Sequence, residues 1–121
     1  MIYDLTHALK ELHPGRNWVH RGDPMDITGL EWKEETIPRP YGDELIDWLN
    51  AKNAAEPMRL LRLERDKLLT ATDWWALPDR TMTAAQIAYR QALRDLPSNS
   101  TPTSLPNGNL DMTSVDWPIK P

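Results

Sequence analysis

Any chemistry in this chain would have to come from three histidines, four serines and a scatter of carboxylates. The histidines stand at His7, His13 and His20. Their spacing gives neither of the one-turn pairs, HxxxH or HExxH, that place two imidazoles on one helical face toward a zinc ion. The absence of cysteine excludes a disulfide scaffold, a thiol nucleophile and any thiolate metal site. Ser98, Ser100, Ser104 and Ser114 all follow residue 97, and none sits in the strand–turn–helix elbow that a hydrolytic serine needs. The five glycines are dispersed, so no loop can cradle a phosphate. The expectation is a protein that catalyses nothing, holds no metal and takes no cofactor. Arg21-Gly22-Asp23 spells an adhesion tripeptide, but with Pro24 after it the stretch reads more simply as a turn between strands. Arg59, Arg62 and Arg65 resemble a basic stripe. Glu64 and Asp66 interrupt it, which points to a solvated face with internal ion pairs, Arg62 to Asp66 among them.

What the chain has instead is tryptophan, six in 121 residues with no phenylalanine. Two are adjacent, in the connector DWWALPD at 73–79. The elements around them follow from apolar spacing. Asp4 caps a short helix whose Leu5, Ala8, Leu9 and Leu12 form one stripe, and His13-Pro14-Gly15 ends it. The pieces 17–20 and 29–37 alternate as strands and predict a small antiparallel sheet with Trp18 and Trp32 in its core. Such a pair must pack on the first helix, because an isolated hairpin is marginal. After the stiff Pro38-Arg39-Pro40, Asp43 starts a second helix with Leu45, Ile46 and Leu49 on one face, reaching about Ala55. Pro57 suits a first helical turn, so a third helix starts at Glu56 or Pro57 or else continues the second through a kink. It carries Met58, Leu61, Leu68 and Leu69. The last helix opens on a capping box, Thr83 to Gln86, and offers Ile87, Tyr89, Leu93 and Leu96 as its apolar side. The short link between these helices makes them antiparallel neighbours.

The predicted fold is therefore α+β. An N-terminal part (1–40) holds a helix and short antiparallel strands. A helical part (41–97) contains the antiparallel hairpin, and an extended Pro-rich tail (98–121) follows. The tail lacks helical period, with Asn107-Gly108 as a hairpin turn and Trp117 as its anchor. Alone it cannot offset its ordering entropy, so its order would argue for capture by a partner. A net charge of −4 gives no electrostatic case for nucleic acid or an anionic membrane. The N-terminus has no signal-peptide pattern, and no apolar run approaches the roughly 20 residues that span a bilayer.

The run RLERDKLLTATDWWALPDRTMTAAQIAYRQALRDLP, residues 62–97, resembles the C-terminal module of phage tail assembly chaperones and tail-fibre assembly proteins. The matching residues are Arg65, Asp66, Leu68 and Leu69, then Thr72-Asp73-Trp74 and Leu77-Pro78-Asp79, then Tyr89 through Pro97, with Trp117-Pro118 closing the pattern. The resemblance implies virion morphogenesis without catalysis. It implies a tail-fibre or baseplate protein as partner, with several copies on a trimeric fibre, in the host cytoplasm during assembly. The alternative is a permanent component of the tail, baseplate or fibre. Trp74, Trp75, Leu77, Tyr89, Trp117 and Pro118 are the candidate partner-binding residues. Trp75 is read either as half exposed beside a Trp74 that caps the hairpin, or as the interface itself.

Overall fold

The computed structural model describes residues 2–121. The chain divides into two compact units, Met1–Ala55 and Glu56–Pro121.

In the first unit, helix α1 (Leu5–Leu12) begins at Asp4, whose carboxylate accepts the backbone N–H groups of Thr6 and His7. These are donors that the first helical turn cannot satisfy itself. The stripe predicted for α1 is its buried face: Leu5, Ala8 and Leu9 are enclosed and Leu12 packs beside them. Gly15 leaves the helix at φ 75°, a left-handed conformation that glycine takes without strain. Strands β1 (Trp18–His20) and β2 (Leu30–Trp32) pair antiparallel, with Trp18 opposite Trp32 and His20 opposite Leu30. β2 is shorter than the sequence suggested. The 21–29 link contains a 3-10 turn, Ile27–Gly29, capped by Asp26. Helix α2 (Gly42–Thr72) contributes Leu45 and Leu49 to the same core, where Trp18, Trp32 and Trp48 close its margins. Asn53 ties the N-terminal segment to this helix: it accepts from Tyr3 N at 2.8 Å and donates to Tyr3 O at 3.1 Å.

Of the two alternatives at Pro57, the structure has the single helix: α2 continues from Gly42 to Thr72 with Pro57 inside it. Proline forfeits the bond to the carbonyl four residues back, a cost of about 3 kcal/mol in a helix interior. The buried leucines on both sides of it, Leu49 and Leu61, show that packing outweighs this local penalty.

The second unit contains the later part of α2, helix α3 (Ala84–Asp95) and the tail. Thr83 and Gln86 form the predicted capping box. Leu61 of α2 packs with Leu96 just past α3, whereas Leu69 meets Arg90 near its middle, so the two segments run antiparallel. Ile87 is a correction. It stands about 200° around the helix from Tyr89 and faces solvent, while Arg90 takes an inward position. The expected Arg62–Asp66 pair is also replaced: Asp66 is bonded by Arg65, at 2.9 Å, and Lys67 pairs with Glu64.

The tail folds back on its own unit. Ser104 bridges Leu110 in an antiparallel turn, with Gly108 at φ 86° as Asn107-Gly108 predicted. Val115 is buried against Leu61 and Leu96, and Leu110 and Trp117 pack on the same cluster. The tail's order is thus accounted for within the chain. The expectation that order required capture by a partner is overturned by these contacts.

Candidate partner-binding surface

Residues 72–77 and 89–93 carry most of the expected site, and their roles divide sharply between inside and outside. α2 ends without a glycine cap, since the only positive φ values among the described residues are at Gly15, Gly22 and Gly108. Its terminal carbonyls therefore need other donors. Arg90 supplies them. Its Nη1 donates to Leu69 O at 2.9 Å and to Thr72 Oγ1 at 2.7 Å, and its Nη2 donates to Asp73 Oδ1 at 2.8 Å. Thr72 is itself enclosed, and its hydroxyl lies 3.2 Å from the carbonyls of Leu68 and Leu69. A cation at a helix C-terminus is also favoured by the helix dipole. The Thr72-Asp73 dipeptide and Arg90 are thus a clamp joining two helices. The motif residues were legible in the sequence, but this role for Arg90 was not assigned to them.

Beside the clamp, a 3-10 turn over Asp73–Ala76 sends the two tryptophans in different directions. Trp75 is only 4% exposed, tilted against the Tyr89 ring at 6.0 Å and enclosed with Leu93, Leu68, Leu69 and Met82. Trp74 is 47% exposed. Its Nε1 donates to Ala71 O at 3.1 Å, and the Arg80 guanidinium lies 4.3 Å from its ring. The expected exposure of Trp75 is therefore corrected: the ring is core, and Trp74 is the one at the surface. Tyr89 is likewise core. Leu77 is exposed, and Trp117 and Pro118 are half-buried.

The exposed residues continue along α2. Leu63, Lys67, Thr70 and Ala71 recur at helical spacing on one solvent-facing side, and Trp74 follows them, exposed, in the 3-10 turn. Leu63, Thr70 and Ala71 line a shallow depression with Asp66 and Lys67. Leu63 also borders a second depression, rimmed by Leu110 and Met112 of the tail. Leu63 was not legible in the sequence, because one leucine opposite a main stripe gives little signal by itself. Among the described residues no group of three or more His, Asp or Glu side chains could hold a metal ion. Nor is any helix long and apolar enough to cross a membrane.

The profile of the phage tail assembly chaperone proteins matches residues 58–121, more than half of the 121 residues. The chain belongs to the phage tail assembly chaperone family. The match covers the Arg90 clamp, the Trp75 core and the folded tail, all in the second unit. Membership gives a role in phage tail assembly, carried out in the host cell while virions form, with a tail protein as the general class of partner. Comparison with curated proteins and with solved structures gives no match.

Proposed function

We propose that this tail assembly chaperone binds a tail-fibre or baseplate protein and holds it soluble until it assembles, catalysing no reaction. The observation that carries the reading is the set of large apolar side chains left exposed here, Leu63 on α2, Trp74 in the 3-10 turn after it and Leu77 in the connector. Single exposed apolar residues are ordinary, whereas several large ones exposed along one stretch, with Asp66, Lys67 and Arg80 beside them, are the kind of surface that a partner covers. Covering such side chains stabilises a complex by about 25 cal/mol per Å² of apolar surface removed from water. Preferential binding to an unassembled subunit would then raise its soluble concentration by mass action. Of the six residues first expected to bind a partner, Trp74 and Leu77 have the exposure this role needs, and Trp117 and Pro118 have part of it.

The test is co-expression with a tail-fibre protein of the same phage. The wild type should raise soluble fibre protein and co-purify with it. The Leu63→Lys, Trp74→Ala double variant should keep its helical dichroism and lose that recovery. Equal recovery by wild type and variant would sink the proposal. Trp75→Ala should behave differently and lose about 3–5 kcal/mol of stability, as truncations of large core aromatics do. Thermal melts distinguish the two. Quantitative mass spectrometry of purified particles addresses residence in the virion: stoichiometric presence would favour a permanent tail component.

A further inference from the structure

The last six residues are held in an unusual way. Val115 is anchored beside Leu96, Pro118 faces Ala92 and Leu96, and the Lys120 ammonium lies 5.8 Å from the Trp75 ring. The chain therefore travels back along α3, from the level of Leu96 to that of Trp75 and Tyr89. This path is roughly 10 Å along the helix axis and is easily spanned by five extended residues. Yet residues 116–121 make no backbone–backbone hydrogen bond among the described residues. Pro118 and Pro121 lack the N–H needed to donate one. Attachment rests on side chains: Trp117 packs by Leu61 and Leu96 and donates from Nε1 to Met112 O at 3.2 Å, and Lys120 faces Trp75. Ile119 is 93% exposed. Between this strap and α3 a cleft of about 360 Å³ remains, bounded by Ala92, Asp95, Leu96, Asn99, Ser100, Asp116 and Pro118. The strap covers the groove without filling it.

We propose that the α3 groove under residues 116–121 is a docking site for an extended segment of the tail protein, one carrying an aromatic residue followed by proline. The chain's own Asp116–Pro121 occupies that site until it is displaced. The occupant's chemistry is argued from the segment already seated there: an extended backbone, an indole beside Leu61 and Leu96, a proline over Ala92, and a cation at the Trp75 ring. The absence of main-chain bonds makes exchange for a similar segment inexpensive. This inference rests on the reading that the protein holds a tail protein, and it adds a closed contact to the open surface of Leu63, Trp74 and Leu77.

The test needs no tail protein, so its failure and a failed co-expression are distinguishable. A fluorescein-labelled hexapeptide, Asp-Trp-Pro-Ile-Lys-Pro, is titrated against the full chain and against a variant ending at Val115, with anisotropy as readout. The expected result is unchanged helical dichroism, saturable binding to the shortened variant, and binding at least tenfold weaker to the full chain, whose tethered strap competes at high effective concentration. A peptide with alanine for its tryptophan should not bind. Trp117→Ala in the full chain, which loosens the strap without shortening it, should raise peptide affinity as well. The proposal is overturned by equal affinity for both chains, by no saturable binding, by loss of helix on truncation, or by no gain in the Trp117→Ala variant. Concentration-dependent dimers of the full chain that vanish on truncation would also overturn it, showing a second copy to be the occupant.

Discussion

Arg90 holds a position that no apolar residue could fill, since its guanidinium closes the end of α2 through Leu69, Thr72 and Asp73. Arg90→Met should cost roughly 1.5–3 kcal/mol, the range for hydrogen bonds to charged groups. Asp73→Ala should cost under about 1 kcal/mol, because its carboxylate is mostly exposed and the pair is screened. Urea denaturation of the two variants checks the order, and equal losses would contradict it. A second residue-scale effect is acid sensitivity. Burial works to raise the Asp4 carboxyl, but the Thr6 hydroxyl and the His7 backbone and ring outweigh it and hold it below the usual range. The Thr28 hydroxyl and N–H do the same for Asp26. A depressed folded-state pKa contributes stability that is present above the ordinary aspartate value, about 3.9. That stability is lost as pH falls through the depressed value. Stability should therefore decline below about pH 4, and less steeply in an Asp4→Asn, Asp26→Asn variant, which an acid titration followed by far-ultraviolet dichroism would show.

Among the elements, helices whose apolar spacing and caps agreed were legible: α1 and α3 begin at the expected Asp4 and Thr83. The two strands were legible through alternation, and Asn107-Gly108 through its turn chemistry. What local reasoning missed was decided by tertiary contact. Pro57 is compatible by itself with a helix start or a helix interior, and packing on both sides carries α2 through it. Ile87 is apolar but falls on the outer face, and Arg90 is charged but falls on the inner one. Trp74 and Trp75 were recognised as important, but a backbone turn alone decides which ring is inside. The β1–β2 link holds a constraint that sequence does not display. A Cβ at Gly29 would land on the Arg21 carbonyl oxygen, whose own N–H donates to Gly29 O. Gly29→Ala should therefore destabilise the first unit, whereas Gly22→Ala meets no neighbour and faces only its positive φ of 82°. A larger fall in melting temperature for Gly29→Ala than for Gly22→Ala is the expected outcome.

For the molecule as a whole, the first unit encloses one apolar cluster and the second two, and the family match falls within the second. A fragment of residues 56–121 should retain helical dichroism and a cooperative melt, with Pro57 now in the first turn, where its missing N–H costs nothing. A fragment that stays unfolded would show that the second core is insufficient alone. The tryptophans are shared equally between the units, Trp18, Trp32 and Trp48 in one and Trp74, Trp75 and Trp117 in the other. Of these six, only Trp75 is buried. Its ring touches both Trp74 and Tyr89, so it sits in a fixed chiral arrangement of chromophores. The protein thus carries its own optical reporter. Replacing Trp18, Trp32 and Trp48 with phenylalanine would leave tryptophan emission that follows the second unit alone, without any attached dye.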